Sequence, residues 1–399
     1  MILKSMLNKI IMEKMLKENI LPFWQNMTDK ENGGFYGEAD FHGKISKKAA
    51  KGCILNSRIL WTFSAAYRIL KEESCKIYAD HAKDFLFNAF LDKENGGVYW
   101  LVDYTGKTLN TRKQFYNIAF AIYALSEHYL AFGDQSSLKA ALDLFNLMEK
   151  YGLDTVSGGY IEACTNDWQN IEDLRLSSKE INCPKSMNTN LHVLEAYTTL
   201  TLVSKETSVR TALENLLRVT LDKIVNKNFN FDLFFDMDWK SLSKDISYGH
   251  DIEGSWLLYE AALATGNEKL ISEVKQTAVE IANVILPAID QKNGGLLSGI
   301  EFNQGNTGQL ITKKEWWPQA EAVVGFYNAY SLSGKQEYLK AAESIWEYIE
   351  KYFKDDVNGE WFNELNSDNS PDTKMPKAGF WKCPYHNARA CLEIIKRTN

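Results

Sequence analysis

Asn32-Gly33-Gly34-Phe35 is the stretch that decides the fold, because it recurs along the chain at a near-regular spacing. Four further copies lie at Asn95-Gly96-Gly97-Val98, Ser157-Gly158-Gly159-Tyr160, Asn293-Gly294-Gly295-Leu296 and Asn358-Gly359-Glu360-Trp361. Successive copies are 63, 62, 136 and 65 residues apart, so one step is double. Halving that step predicts a degenerate copy near position 226, where Asn228 to Phe231 lacks the glycines. Six units of this length indicate a repeat architecture.

Each unit reads as a short β-ribbon followed by two helices. In the second unit, the β-forming run Val98 to Val102 precedes a turn and a long apolar stretch from Tyr116 to Phe132. Gly133 and Asp134 end that helix, and an amphipathic stretch from Ser137 to Tyr151 follows. The sequence therefore predicts six helical hairpins joined by short ribbons.

The two helices of a unit differ in their apolar pattern. The first is apolar nearly all round, which is typical of a helix buried on most sides; these stretches are Ile54 to Leu70, Tyr116 to Phe132, Asn188 to Val203, Asp251 to Thr265, Trp317 to Leu332 and His386 to Ile395. The second has a charged face, as in Ser74 to Phe90, Leu138 to Tyr151, Ser208 to Val225, Glu268 to Leu286 and Gln336 to Tyr352, with the N-terminal helix as the sixth. We predict an all-α fold, an (α/α)6 barrel formed by residues 1–399 as one domain. An open solenoid is the alternative.

Composition excludes several classes of protein. The net charge is −7 and no block of Lys or Arg occurs, which argues against a nucleic-acid partner. The six cysteines are scattered without metal-binding spacing, which is typical of reduced thiols in a cytosol. No apolar run approaches the roughly 18 residues of a membrane span. We expect a soluble, cytoplasmic monomer without a nucleic-acid or membrane partner.

Polar and aromatic residues recur where the inner helices begin, and the barrel should bring them to one funnel. They are Arg58, Tyr116 with Asn117, Asn188 with His192, His250 with Glu253, Trp317 with Glu321, and Trp381 with His386. Histidine exchanges protons near neutral pH, Trp stacks on sugar rings, and Arg stabilises a developing oxyanion. The set predicts a carbohydrate site with acid/base capacity, in which Glu253 shares a helix face with His250 and is expected either to hydrogen-bond to it or to bias its proton equilibrium.

Other interpretations compete at single positions. A supporting role is the alternative for His192, and packing in the core is the alternative for the Trp316–Trp317 pair. Trp61, Trp256 and Trp346 are expected to pack. A metal site of three His and a Glu is disfavoured, because these residues come from separate helices without an H-x-x-x-H pair. His42, His81 and His128 are expected to be solvated.

Six segments resemble the cellobiose 2-epimerase family, within the N-acylglucosamine 2-epimerase superfamily. They are Lys51 to Trp61, Tyr116 to Leu125, Met187 to Tyr197, Ser247 to Trp256, Trp316 to Gly325 and Trp381 to Arg389, in the family's order along almost the whole chain. The linker from Leu174 to Lys185 does not align, and it is expected to adjust preference for disaccharide length or linkage.

The resemblance implies a cofactor-independent isomerase that epimerises C2 of the reducing-end glucose of β-1,4 disaccharides, such as cellobiose or lactose, through ring opening and a cis-enediolate. It implies His250 and His386 as the acid/base pair and His192 as an aid to ring opening. Substrate binding would fall to Arg58, Tyr116, Asn188, Glu253, Trp317, Glu321 and Trp381, and the resemblance implies that Glu253 and Glu321 orient the histidines or the sugar hydroxyl groups. The alternatives are a monosaccharide 2-epimerase or aldose–ketose isomerase of the same superfamily, an (α/α)6 glycoside hydrolase with paired carboxylates, and a noncatalytic sugar-binding barrel.

Overall fold

The computed structural model describes residues 6–178, 180–302 and 307–398. Its α-helices are α1 (Lys9–Met15), α2 (Leu21–Asn26), α3 (Cys53–Leu70), α4 (Ser74–Phe85), α5 (Phe115–Phe132), α6 (Gln135–Tyr151), α7 (Met187–Val203), α8 (Thr207–Val219), α9 (Tyr248–Thr265), α10 (Glu268–Ile285), α11 (Trp316–Ser333), α12 (Gln336–Tyr348) and α13 (Tyr385–Thr398). Short π-helical turns cover Leu16–Ile20, Leu86–Phe90, Thr220–Ile224 and Ile349–Phe353, and a 3-10 turn covers Leu286–Ala288. None of the described helices combines the length and apolar character needed to cross a bilayer.

The odd-numbered helices from α3 to α13 form a closed inner ring. Each packs against the next in chain order, and α13 packs against α3. The helices α4, α6, α8, α10 and α12 lie outside their preceding partners, and α1 covers α13. The (α/α)6 prediction is confirmed, and the open solenoid is wrong because the first and last inner helices are in contact.

Burial explains why the inner helices have little polar periodicity. In α5 every residue from Phe115 to His128 is buried, since the helix touches neighbours on both sides and an outer helix behind. The inner helices begin one to three residues earlier than predicted. In α9 the shift is largest, from Asp251 to Tyr248, and it places His250 inside the first helical turn.

Short strands join neighbouring units at the end of the barrel where the inner helices begin. They are β1 (Lys51–Gly52), β2 (Leu101–Val102), β3 (Thr108–Asn110), β4 (Lys113–Gln114), β5 (Ala163–Cys164), β6 (Lys185–Ser186), β7 (Phe234–Phe235), β8 (Ile246–Ser247), β9 (Gly299–Phe302), β10 (Gly308–Ile311), β11 (Lys314–Glu315) and β12 (Glu364–Leu365). The strand before each of α3, α5, α7, α9 and α11 pairs antiparallel with a strand of the following unit. This stitching fixes the starting points of the inner helices relative to one another.

The recurring Gly pair closes the turn that leads into each ribbon. Gly96 and Gly97 have φ of 76° and 78°, a region that favours glycine. Equivalent β-bridges span all six turns: Thr28–Phe35, Leu91–Val98, Leu153–Tyr160, Val225–Phe231, Ile289–Leu296 and Lys354–Trp361. The bridge from Val225 to Phe231 confirms the degenerate fourth copy, in which Phe229 takes the positive φ of 61°.

An ion pair beneath these turns was not predicted. An Asp that opens the turn accepts from backbone N–H groups and binds the Lys that precedes the next inner helix; the pairs are Asp29–Lys51, Asp92–Lys113, Asp154–Lys185, Asp290–Lys314 and Asp355–Lys377. In the fourth unit, Asn226 and Ile246 occupy the two positions. Both charges are thus replaced together, as expected where an unpaired buried charge is costly.

Candidate active site

A cavity of about 450 Å³ opens at the ribbon end of the barrel. All of the predicted site residues line it except Glu321, which lies behind His386. Tyr116, Asn188 and His386 are each the second residue of an inner helix, so their side chains point toward the barrel axis from separate walls. Asn117, predicted beside Tyr116, instead donates its Nδ2–H to the Tyr99 carbonyl and holds the ribbon.

The His386 imidazole is held from behind by a carboxylate. Its Nδ1 lies 2.7 Å from Glu321 Oε1, and its ring lies 5.6 Å from the ring centre of Trp317. The second Glu321 oxygen accepts from Trp256 Nε1 at 3.1 Å. The expectation that Glu321 orients a histidine fits this geometry, and Nε2 of His386 is left toward the cavity.

The His250 imidazole has a hydroxyl partner. Its Nδ1 lies 2.7 Å from Ser247 Oγ, and its ring centre is 4.7 Å from that of Trp317. The expected hydrogen bond between Glu253 and His250 is wrong: the Glu253 carboxylate accepts from Arg389 and lies 3.8 Å from His386 Nδ1. The spacing of three residues puts Glu253 and His250 on one face of α9, but the cation that Glu253 binds, Arg389, lies on α13.

His192 shows the helical pairing that was expected of His250. Its Nδ1 lies 2.9 Å from Glu195 Oε2, three residues along α7. The ring packs against Tyr116 and Phe120, with centroid distances of 5.0 and 4.8 Å. These contacts fix the orientation of the imidazole at the cavity wall.

Arg389 connects three carboxyl groups that lie near His192 and His386. Its Nη2 donates to Glu321 Oε1 at 2.7 Å and to Glu253 Oε1 at 2.5 Å, while Nη1 binds Glu195 and the Tyr385 hydroxyl. All of these groups are buried. One guanidinium therefore serves three carboxyl groups from three helices.

Burial shifts the protonation equilibria of the site toward neutral forms. It lowers the pKa of His250 to about 3 and that of His386 well below its usual value, with nearby Arg58 and Arg389 adding to the latter. Burial also raises the pKa of Glu253 to about 7, helped by Glu321. Both imidazoles are thus neutral near pH 7 and available as proton acceptors.

The remaining polar groups have open hydrogen-bonding capacity. Arg58 Nη2 donates to the Tyr116 hydroxyl at 2.6 Å, which places a cation and a phenol side by side at the cavity wall. Asn188 Oδ1 and Glu253 Oε2 have no hydrogen-bond partner among the described residues. Unsatisfied polar atoms are costly in a protein interior, so groups lining a cavity in this way are suited to hydroxyl ligands.

Aromatic residues form the floor and rim. Trp317 lies against both the His250 and the His386 rings, and Trp381 is 37% exposed at the rim beside Trp100 and Tyr116. Trp316, for which packing in the core was an alternative, is buried and also lines the cavity. Flat apolar faces beside polar groups are typical of sugar sites.

Sequence reasoning missed several residues of the site. Ser177 and Glu180 enter the cavity from the linker between Leu174 and Lys185, the segment expected to adjust substrate preference. Glu195 and Arg389 follow His192 and His386 by three residues, a spacing that could have identified them. Further lining residues from adjoining ribbons are Glu315, Asn363, Glu364, Met375, Pro376, Gly379, Phe380 and Lys382.

Two alternative sites are disfavoured by Arg389. Ligand atoms of Glu253, Glu321 and His386 lie within 4.8 Å of one another, but both carboxylates already bind the guanidinium. Because both bind Nη2 of Arg389, Glu253 and Glu321 lie side by side, and of the two Glu253 lines the cavity while Glu321 does not. A hydrolase needs two carboxyl groups on opposite sides of its substrate bond.

The histidines outside the site are not all solvated. His42 is exposed, but His128 is 1% exposed, lies 2.9 Å from Ser137 Oγ and faces Asp80. His81 lies 2.9 Å from the Gly34 carbonyl. The prediction was therefore wrong for His128 and His81, whose partners come from other segments.

The chain is similar to known proteins along nearly its whole length. The family model for N-acylglucosamine 2-epimerase matches residues 34–390. A cellobiose 2-epimerase of Bacteroides fragilis is 46% identical over 386 residues, covering 96% of this chain and 97% of the relative. The solved cellobiose 2-epimerase of Bacillus thermoamylovorans B4167 is 39% identical with a TM-score of 0.92, covering 97% of this chain and 98% of that chain. A D-mannose isomerase structure shares the fold, with a TM-score of 0.86 at 20% identity and full coverage of both chains.

Proposed function

We propose that this chain, which belongs to the N-acylglucosamine 2-epimerase family, epimerises C2 of the reducing-end glucose in β-1,4-linked disaccharides. Cellobiose would become glucosyl-mannose, and lactose would become epilactose. The named relatives above support this substrate class, since they match the chain almost end to end. The chain is accordingly an isomerase.

The observation that carries the proposal is the pair of neutral imidazoles that both lie against Trp317. Epimerisation removes a proton from one face of C2 and returns a proton to the other face, so it requires a base and an acid that approach from different directions. His250 stands on α9 and His386 on α13, two units apart in the ring. Both rings lie against Trp317, which supports a shared role for them at one sugar ring stacked on that indole.

His386 is prepared to accept a proton. With a carboxylate at Nδ1, the neutral imidazole keeps its proton on Nδ1 and presents the Nε2 lone pair to the cavity. As C2 gives up its proton, Glu321 stabilises the imidazolium that forms, in the manner of an orienting carboxylate. The C2–H electron pair passes into the enediolate.

His250 is suited to exchange protons in either direction. The Ser247 hydroxyl can accept from or donate to Nδ1, so both neutral tautomers have a partner. The negative charge of the enediolate favours the charged form of a nearby imidazole. His250 takes a proton from solvent in the open cavity and delivers it to the opposite face of C2, while His386 releases to solvent the proton that it removed, so both imidazoles are neutral again after turnover. The two histidines exchange roles in the reverse reaction.

The remaining residues hold the open-chain sugar. Ring opening moves a proton from O1 to the ring oxygen, and His192, with Nδ1 bound to Glu195, offers Nε2 for that transfer. Arg58 and Tyr116 lie where they can stabilise oxygens of the enediolate. Asn188 supplies a free carbonyl for a hydroxyl group, and Trp381 provides a face for stacking at the rim.

The product profile on cellobiose tests the proposal. Purified protein is incubated with cellobiose, lactose, mannobiose, glucose and mannose, and the products are separated by chromatography. We expect glucosyl-mannose from cellobiose and epilactose from lactose. Turnover of monosaccharides alone would overturn the disaccharide assignment, and release of free glucose from cellobiose would indicate a hydrolase.

We further propose a cytoplasmic monomer that needs no metal or organic cofactor. The six cysteines are free and buried, which suits a reducing compartment. Light scattering behind a size-exclusion column should give the mass of one 45.6 kDa chain. Activity should survive extensive dialysis against a chelator, and its loss would contradict the cofactor-free assignment.

A further inference from the structure

The carboxyl groups behind the histidines outnumber the cations available to them. Glu195, Glu253 and Glu321 are each buried and all bind Arg389. Three buried anions sharing one guanidinium would leave uncompensated negative charge in the barrel, which costs several kcal/mol per ion in a protein interior. At least one of the carboxyl groups is therefore expected to hold a proton.

Hydrogen-bond donors show which carboxyl group is neutral. Glu321 accepts from Arg389 and Trp256 and has His386 Nδ1 at 2.7 Å, so its charged form is well satisfied. Glu195 accepts from Arg389 and Tyr385 and has His192 Nδ1 at 2.9 Å.

Glu253 is different. Its Oε1 shares the Arg389 guanidinium, and its buried Oε2 has no partner among the described residues, although the side chain lines the cavity. Oε2 is thus the position where a proton satisfies the oxygen and removes the excess charge.

We infer that Glu253 is a neutral carboxylic acid in the resting enzyme and that its Oε2–H donates a hydrogen bond to an oxygen of the enediolate. This inference rests on the proposed function and assigns to Glu253 a role beyond holding a hydroxyl group. A carboxylic acid kept neutral in an apolar site is a strong donor to an enolate-type oxygen, as ketosteroid isomerase shows. No proton needs to be transferred from Glu253, so its protonation state is the same before and after turnover.

The groups that surround Glu253 agree with a neutral state. Those that face it from other helices are Glu195 and His192 on α7, Glu321 on α11, Tyr385, His386 and Arg389 on α13, and Tyr116 on α5; His250 shares α9 with it. Burial, then Glu321, raise its pKa to about 7, against the lowering effect of Arg389. The neutral form prevails below that pH and is lost as the pH rises through it.

Infrared difference spectroscopy tests the protonation state without turnover. The carbonyl stretch of a protonated carboxylic acid is recorded at pH 6 for the wild type, for Glu253→Gln and for the control Glu273→Gln, an exposed carboxylate on α10 that pairs with Arg218. Asp251 and Glu162 are buried carboxyl groups whose pKa is also raised to about 7, so they contribute to the same band. The contribution of Glu253 is therefore taken from the difference between the wild type and Glu253→Gln. We expect part of the band to disappear in Glu253→Gln only. An unchanged band in that variant would overturn the inference.

Kinetics test the donor role. A glutamine can accept from Arg389 with its oxygen and donate with its nitrogen, but an amide is a weaker donor than a carboxylic acid. Glu253→Gln should therefore lower kcat on cellobiose at pH 6 by about 10-fold, and Glu253→Ala by about 10² to 10³-fold. In the wild type the activity should fall above pH 7 as Glu253 ionises, and this limb should be absent in Glu253→Gln. Equal losses in the two variants, or an unchanged alkaline limb, would overturn the inference. Failure of the proposed function can be distinguished from failure of this inference. If the function is wrong, the wild type gives no epimer of cellobiose, whereas the infrared band still reports whether Glu253 is protonated.

Discussion

The buried ion pair of Lys113 and Asp92 can be replaced by the two uncharged residues that another repeat unit of the same chain has at these positions, and this replacement tests the account of the fold. The fourth repeat unit has Asn226 and Ile246 at the equivalent positions. The double variant Asp92→Asn/Lys113→Ile copies that unit into the second one. Asn226 Oδ1 accepts from two backbone N–H groups, at 2.9 and 3.3 Å, so an Asn can preserve the turn that Asp92 now holds.

The magnitudes follow from burial. Lys113 Nζ and Asp92 Oδ2 are 2.6 Å apart and both side chains are fully buried. Lys113→Ile alone leaves an unpaired buried carboxylate and should cost about 3 to 5 kcal/mol of unfolding free energy. The double variant removes both charges and should be more stable than Lys113→Ile by about 2 kcal/mol or more. As a control, Asp143→Asn breaks the exposed pair with Lys139 and should cost about 0 to 1 kcal/mol.

Urea unfolding of the variants measures these differences. Far-UV circular dichroism and tryptophan fluorescence are followed together, because coincident transitions are needed before free energies are compared. The result that would refute the reasoning is a double variant as unstable as the sum of the two single variants. That outcome would mean that Asp92 in the turn and Lys113 before α5 have no interaction free energy in the folded protein.

Three predictions concern the site. His250→Ala and His386→Ala should each lower kcat on cellobiose by about 10² to 10⁴-fold, whereas the control His42→Ala, at an exposed position, should match the wild type. Isothermal titration should show that both inactive variants still bind the disaccharide. Retained turnover in either variant would contradict the acid/base assignment. Glu321→Gln should lower kcat by about 10²-fold or more with little change in KM, since it alters the partner of the catalytic imidazole; a change in KM alone would argue for a substrate-binding role. Trp381→Ala should raise KM for cellobiose by about 3 to 10-fold and leave KM for any monosaccharide substrate nearly unchanged. Equal effects on both substrates would contradict stacking of Trp381 on the second sugar ring of the disaccharide.

Much of the fold could be predicted because its signals are local and repeated. The Gly pair needs positive φ wherever it occurs, so its spacing located five of the six ribbons directly and the degenerate one near Asn226 by interpolation. The Asp and Lys of the buried pairs recur with the same period, so the sequence also contains a signal for these ion pairs. The π-helical turns that end several outer helices have no comparable sequence pattern.

The site was predicted less completely, because its partners meet only in three dimensions. Repeat-equivalent positions brought nearly all of the candidates to one cavity. The hydrogen bond expected between Glu253 and His250 assumed that helical neighbours pair, whereas Arg389 on α13 binds Glu253 and Ser247 lies against His250. Convergence of charges from three helices cannot be derived from spacing along one of them.

Epimerisation of cellobiose in deuterated water tests the central claim most directly. Product is isolated at partial conversion, and the isotope at C2 of the mannose unit is measured by nuclear magnetic resonance. A base and an acid on opposite faces of C2 predict one solvent deuterium at C2 of glucosyl-mannose, and none should appear with His386→Ala. An epimer that forms while keeping its original hydrogen at C2, or the absence of any epimer, would contradict the account.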